Sequence, residues 1–396
     1  MDTPPKKKGN SLKTFSVASF LNDFGSDMIS PIWPLFVTSL PGANMAILGF
    51  IDGLGEAIVS ISQAVSGYIS DHTGKRKAFV WLGYIFGASS RIGYSLSATW
   101  HWLVPFRILD RAGKMRGAPR DAMIADFSRD SDRGRNFGIL RTFDNLGAVC
   151  GIIFSITLIG VLGYRNLFLL AAIPSLAGAA LIFIKIKERR VKDLPKRPGL
   201  KLKNVDLNFK IFLAISALFA LGSFTYSFLL VFANNFGFAV AAVPVLYLLF
   251  TLIASMSSLP FGKFSDKIKS RKKVLMFSFA LWLGSCLFLV SSQSWLAIIF
   301  AFVLYGLHKG AIDTVQTAFV AELSPLEYRA SSLGLFKMVT GICALPGSLI
   351  AGLLWDKISP AAPFYFSLVL TVISMAALLF VKEKEFSKLE EIAADD

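Results

Sequence analysis

A helix needs about 20 consecutive, mostly apolar residues to cross the hydrocarbon of a bilayer. This chain contains twelve such stretches: 14–39, 45–70, 78–98, 102–127, 136–160 and 167–185, then 210–234, 243–265, 274–291, 295–322, 330–354 and 361–381. No soluble architecture uses that pattern. Composition agrees, because only 17% of the 396 residues are charged and 54% are hydrophobic, whereas soluble domains carry about 25% charged residues. The expected fold is therefore an all-α membrane protein. Its twelve transmembrane helices would form two pseudo-symmetric six-helix bundles, residues 1–185 and 209–396, the second with a short cytoplasmic tail. A basic, Pro-containing linker over 186–208 would join them. Asn22, Asp23 and Asp27 interrupt the first apolar run, which reads as an uncleaved first helix and not as a signal peptide.

The formal net charge is +15, and its placement decides what it means. Lys6, Lys7, Lys8, Lys75, Arg76, Lys77, Arg129, Arg133, Arg135, the linker lysines and arginines, Lys263, Lys267, Arg271, Lys272, Lys273 and Arg329 all fall between spans on one side. The opposite side holds little beyond Arg165 and Lys357. This positive-inside pattern predicts two cytoplasmic termini in a multi-pass protein of the cell's inner membrane. It leaves no basic patch to bind nucleic acid. Cys150, Cys286 and Cys343 are isolated in apolar runs, so neither a metal site nor any cofactor is expected.

The two halves repeat. Gly67, Asp71, Arg76 and Lys77 recur as Gly262, Asp266, Arg271 and Lys272 at an offset of 195. Ala125-Asp126, Arg133 and Gly138 recur as Ala321-Glu322, Arg329 and Gly334 at an offset of 196. Both echoes lie at expected cytoplasmic helix ends, and parallel six-helix repeats are a transporter architecture. The segment Gly67–Lys77 resembles the loop signature G-x-x-x-D-x-x-G-[KR]-[KR]-[KR] of the major facilitator superfamily. Arg107-Ile-Leu-Asp-Arg-Ala-Gly113 resembles the fourth-helix motif R-x-x-x-G-x-G of its proton-coupled antiporters, with Arg111 where that motif has its first glycine. The loop residues read physically as a cytoplasmic gate. Asp71 sits at a helix C-terminus, where an anion needs a compensating partner, and Gly67 allows close helix approach. Gly67, Asp71 and Arg76, with Gly262, Asp266 and Arg271, are the gate candidates.

Charge inside the expected spans concentrates in the first half. Seven acids (Asp23, Asp27, Asp52, Glu56, Asp110, Asp121, Asp144) face seven bases (Arg91, Arg107, Arg111, Lys114, Arg116, Arg120, Arg141). At about 2.5–3.5 kcal/mol each at the bilayer centre, fourteen unpaired charges would cost roughly 35–50 kcal/mol. They must pair, line a wet cavity or sit near helix ends. Helical spacing puts Asp23 with Asp27, Asp52 with Glu56, Arg107 with Arg111, and Asp110 with Lys114 on shared faces. The resemblance implies that helices one, two, four and five line a central cavity, and nearly all these charges fall on those four. Asp23, Asp27, Asp52, Glu56 and Asp144 are the proton-coupling candidates, with Asp27 and Glu56 foremost. Arg107, Asp110, Arg111, Lys114, Arg116, Arg120 and Arg141 are candidates for a charge network or for an anionic substrate.

The second half is less ionic. His308, Lys309 and Asp313 on the tenth helix and Lys337 on the eleventh extend the network candidates. Tyr226, Tyr247 and Gln316 are substrate-contact candidates. Pro31, Pro34 and Pro346 remove helix hydrogen bonds and mark breaks or hinges. The function expected is secondary active transport of a small organic solute by alternating access, coupled to protons, with export ahead of import. Import of a nutrient or of a metal chelate such as a siderophore is the alternative. An intramembrane enzyme is the reading from another class, and it lacks any recognisable G-x-S-x-G, H-E-x-x-H or Cys/His site. The partners expected are the solute, protons and the lipid bilayer, with the protein acting as a monomer.

Overall fold

The computed structural model describes residues 8–128, 133–188, 206–291, 294–324 and 329–383. Of the described residues 87% are helical, and none is in a strand. It divides into two compact units, one of Met1–Arg197 with Ser227–Val245 and one of Pro198–Tyr226 with Leu246–Asp396. Most of the linker, 189–205, lies outside the described residues.

The first unit contains α1 (Lys8–Ile29), α2 (Trp33–Ser39), α3 (Met45–Thr73), α4 (Lys77–Leu96) and α5 (Trp100–Ala112). A 3₁₀ turn (Gly113–Arg116), α6 (Gly117–Phe127) and the long helical stretch α7 (Arg133–Lys185) follow. Prolines explain the first break: Pro31 interrupts the chain between α1 and α2, and Pro34 opens α2. Gly163 interrupts α7 with φ 67° and ψ 176°, a conformation open to glycine. α1 runs along α7, α4 packs on α7 and α5, and α3 packs on α5 and the 3₁₀ turn. The α1–α7 crossing is backbone on backbone. A Cβ at Gly147 would lie 2.4 Å from the Phe20 carbonyl oxygen, and one at Gly151 would lie 2.2 Å from that of Phe24. Small residues four apart allow this approach in membranes, where dispersion and packing replace the hydrophobic effect.

The second unit contains α8 (Leu207–Gly222), most of α10 (Val243–Lys267), α11 (Arg271–Ser291), α12 (Trp295–Leu323), α13 (Arg329–Lys357) and α14 (Ala362–Leu378). α9 (Tyr226–Asn235) follows α8 after a non-helical break at 223–225. α11 pairs with α12, and α8 packs against α13 and α14. The packing repeats that of the first unit. Gly347 on α13, which is Gly151 plus 196, meets the Leu221 carbonyl oxygen 2.6 Å from its virtual Cβ.

Among the described residues, seven stretches are long and apolar enough to cross a membrane: Met45–Ser70, Arg135–Lys185, Leu207–Asn235, Val243–Lys267, Arg271–Ser291, Trp295–Leu323 and Ser331–Lys357. Arg135–Lys185 covers two of the expected spans in one helical stretch. α14 is apolar but only 17 residues long. α1 carries Asp23 and Asp27, α4 carries Arg91, α5 carries Arg107, Asp110 and Arg111, and α6 carries Arg120 and Asp121. Helices that carry several charges do not read as uniformly apolar rods.

One motif position is explained by backbone alone. Gly74 caps α3 in the left-handed region (φ 65°), its N–H bonded to the Ser70 carbonyl. At plus 195 the same conformation is held by Lys269, with φ 50°. Gly74→Ala places a Cβ in that conformation and should destabilise the protein by about 1 kcal/mol, read as a small fall in the thermal unfolding midpoint.

Candidate functional site

The charged residues of the first unit assemble into two connected groups. In the first, Asp52 is 2% exposed. It accepts hydrogen bonds from Trp33 Nε1 (2.8 Å), from Arg107 and from Ser227. The Arg107 guanidinium also lies 4.2 Å from the centre of the Trp33 ring. The carboxylate is held by three donors and the guanidinium lies on an aromatic face, so the buried pair is compensated on both sides although Arg107 Nε makes no hydrogen bond. Arg111 lies on the same side of α5 as Arg107, and Gly55 of α3 makes room for both. A Cβ there would be 3.2 Å from Arg111 Cγ and 3.3 Å from Arg107 Nε.

The second group ties α1, α6 and α7. Arg120 pairs with Asp121 (3.2 Å) and with Asp144 (3.5 Å). Arg141 reaches the same two carboxylates, Asp121 at 3.1 Å and Asp144 at 3.3 Å. Ser19 of α1 donates to Asp144 and accepts from Arg120. Arg116 pairs with Asp23 at 3.8 Å and lies over the Tyr84 ring.

Pairing is therefore collective, not one to one. Two bases bridge two acids, and Arg91 is held by neutral acceptors. Buried on α4, Arg91 donates to the Ala171 carbonyl (2.8 Å), to Ser26 Oγ (2.8 Å) and to Ser175. The expected Asp110–Lys114 pair is not made. Asp110 pairs with Arg111 at 3.6 Å, and no hydrogen bond or ion pair among the described residues involves the Lys114 ammonium. The reason is local: α5 ends at Ala112, and the 3₁₀ turn over Gly113–Arg116 turns Lys114 away from the α-helical register. Asp52 and Glu56, expected to act alike, are separated by environment. Asp52 is buried in its pair, while Glu56 is exposed on the middle of α3, its carboxylate in no ion pair among the described residues. Asp27 stands half-buried one turn beyond Asp23 on α1.

The residues of the repeated loop motif form a second constellation, with equivalent ion pairs in each unit. In the first, Arg76 pairs with Asp126. Its backbone N–H donates to Glu188 at 2.9 Å, and Lys77 N–H donates to the same carboxylate. In the second, Arg271 pairs with Glu322 (2.9 Å) and with Asp266. Glu383 accepts from Lys272 N–H at 2.8 Å and from Ser270. Each glutamate caps the N-terminus of a helix, α4 or α11, where the free N–H groups and dipole favour an anion. Glu188 and Glu383 were not among the expected site residues, although they too are 195 apart. Gly67 meets Ala118 (3.5 Å from its virtual Cβ), and Gly262 meets Thr314 (3.3 Å). Asp71 is on α3, but its side chain lies outside the described residues.

The remaining candidates are dispersed in the second unit. Lys309 and Asp313 pair at 3.1 Å on the surface of α12. His308 is on the other side of that helix, 1% exposed. Its Nδ1 lies 2.8 Å from the Ser278 carbonyl oxygen, and Phe219, Trp282 and Tyr305 surround the ring. That makes it a packed core histidine, apart from the charge network it was expected to join. The preceding face explains why: in the first unit Gly83 approaches the Gly113 carbonyl, and at plus 195 Ser278 donates to the His308 carbonyl. Gln316 donates to Ser216 of α8 at 3.4 Å. Tyr226 and Tyr247 stack edge to face, 5.1 Å apart, beside Phe250. Lys337 is exposed on α13.

Known proteins match this organisation. The profile of the Major Facilitator Superfamily covers residues 15–230 and 211–395. An MFS-type transporter of Methanocaldococcus jannaschii is 40% identical over 92% of both chains. The inner membrane transport protein YajR of Escherichia coli is 22% identical over 92% of this chain and 82% of its own. Among solved structures, the nucleoside transporter NupG superposes with a TM-score of 0.76 at 15% identity, covering 93% of this chain and 98% of the other. A POT family transporter in complex with 5-aminolevulinic acid superposes at 0.75 and 15% identity, over 94% and 95%. These two show the fold alone. With an ion-pair cluster repeated at an offset of 195, helices long and apolar enough for a membrane and a family match over both halves, this chain belongs to the Major Facilitator Superfamily and is a multi-pass membrane transporter, not an enzyme.

Proposed function

We propose that the protein is a proton-coupled secondary transporter of a small organic solute, working by alternating access and exporting that solute. Twelve spans in two six-helix bundles, a basic linker over 186–208, a monomeric state and cytoplasmic termini at the inner membrane complete the proposal. The observation that carries proton coupling is the contrast on α3. Asp52 is locked by three donors, whereas Glu56, one turn on, is an exposed carboxylate on an otherwise apolar membrane helix. A carboxylate at that depth is costly to keep charged and serves function by default. Glu56 is the primary proton carrier in this reading, and Asp27 the second. The ionic network of Asp23, Arg116, Arg120, Asp121, Arg141 and Asp144 fixes the helices around them. Gly67, Asp71, Arg76, Gly262, Asp266 and Arg271 form the cytoplasmic gate, and Tyr226, Tyr247 and Gln316 contact solute. Export is favoured by the likeness of Arg107–Gly113 to the antiporter motif.

Glu56→Gln in proteoliposomes tests the assignment. Solute exchange at equal pH on both sides should persist in the variant, while the response of net flux to a pH gradient should fall at least tenfold. An unchanged pH response in both Glu56→Gln and Asp27→Asn would remove the two residues from the coupling role. Orientation-defined vesicles separate export from import by the gradient polarity that drives concentration.

A further inference from the structure

We propose that Arg111, packed against Gly55, and Lys114 bind a single negatively charged group of the transported solute, a carboxylate in the simplest case. The inference rests on the transport reading and names its substrate class. It starts from the charge balance of the fourth-span segment. Arg107 is engaged with Asp52, and Arg111 pairs with its neighbour Asp110 at 3.6 Å. Lys114 is half-buried, and its ammonium is in no ion pair among the described residues; Asp110 and Asp23 act on it only from beyond contact. A half-buried ammonium without a carboxylate is expensive in a membrane unless something anionic visits it.

The shape of the segment agrees. The 3₁₀ turn at Gly113–Arg116 breaks the register that would have given Lys114 to Asp110, so helical regularity is given up and this cation is left available. Across from it, α3 offers a position without a side chain. A Cβ at Gly55 would press on Arg111 Cγ at 3.2 Å and on Arg111 Nε at 3.3 Å, so the arginine arm lies tightly against the α3 backbone. Arg111 presents a planar fork suited to a carboxylate, and Lys114 a mobile point charge. Glu56 is the next residue on α3 and is exposed.

The test uses the purified full chain in lipid nanodiscs at constant ionic strength. The probes are acetate, lactate, benzoate, succinate and citrate, each against its neutral amide. The expected result is a rise in unfolding midpoint of roughly 3 °C for at least one carboxylate at saturating concentration, with none for any amide. Lys114→Gln should abolish the rise, Lys114→Arg should retain it, and Gly55→Ala should reduce it. Monocarboxylates should serve as well as dicarboxylates. No rise with any acid, an equal rise with amides, or a rise that survives Lys114→Gln would overturn the proposal. The retained response of Lys114→Arg guards against a variant that merely fails to fold. Carboxylate binding without solute flux would remove the transport reading and leave this site. Flux of neutral solutes without carboxylate binding would do the reverse.

Discussion

Arg107→Met should destabilise the protein by about 3–5 kcal/mol, because it strands the buried Asp52 carboxylate without its counter-charge. Asp52 is 2% exposed, and its remaining donors, Trp33 Nε1 and Ser227, are neutral. Asp52→Asn should cost less. The amide oxygen still accepts from Trp33, and the Arg107 guanidinium retains the face of the Trp33 ring, 4.2 Å away. The double variant should recover most of the loss, since replacing both members of a buried pair is often close to neutral. Thermal unfolding in detergent, run as a double-mutant cycle, reads this directly. Additive single effects would show that the two residues are not a pair. These variants probe the static half of the ionic set and separate Asp52 from the carboxylates proposed to couple protons: a group held by three donors, one of them its buried ion-pair partner, is built to stay as it is.

The second large effect belongs to Gly151. Any side chain there meets backbone, because a Cβ would lie 2.2 Å from the Phe24 carbonyl oxygen and 3.0 Å from the Met28 nitrogen. Backbone atoms of a packed helix do not swing aside as a flexible side chain does, so Gly151→Val must push α1 off α7. That contact organises the first unit and carries the Ser19–Asp144 bond. Overpacking of a side-chain core costs about 1–3 kcal/mol; a clash of helix against helix should exceed this and abolish the monodisperse peak in size-exclusion chromatography. Gly160→Val is the control, since nothing lies within 4 Å of a Cβ there, and it should elute as the parent protein does.

The sequence spoke most clearly where periodicity and repetition carry information. Apolar runs predicted the helices, and the offset of 195 predicted that Arg76 and Arg271 hold equivalent places. The same offset relates Glu188 to Glu383, Gly83 to Ser278 and Gly74 to Lys269, and reading it along the whole chain would have located the helix-capping glutamates. Helical spacing placed Arg107 and Arg111 on one face, as Gly55 attests. It failed at Asp110 and Lys114, because a 3₁₀ turn changes the angle per residue from about 100° to about 120°. Charge counting failed at Arg91, whose partners are carbonyl and hydroxyl oxygens of α1 and α7. Such neutral acceptors are present in any helix and leave no signal. Nor does spacing distinguish Asp52 from Glu56, or His308 from Asp313. Those pairs differ only in what the neighbouring helices present to them, which is a tertiary fact.

The central claim, gradient-driven secondary transport, can be tested without knowing the solute. Proteoliposomes containing the purified chain would be given a uniformly ¹³C-labelled metabolite extract under an imposed pH gradient of either polarity, and their contents read by mass spectrometry. Proton-coupled export predicts that at least one labelled species becomes more concentrated on the acidic side, the side such export would fill, and that a protonophore abolishes the accumulation. Equal inside and outside concentrations of every labelled species, with both gradient polarities, would contradict it.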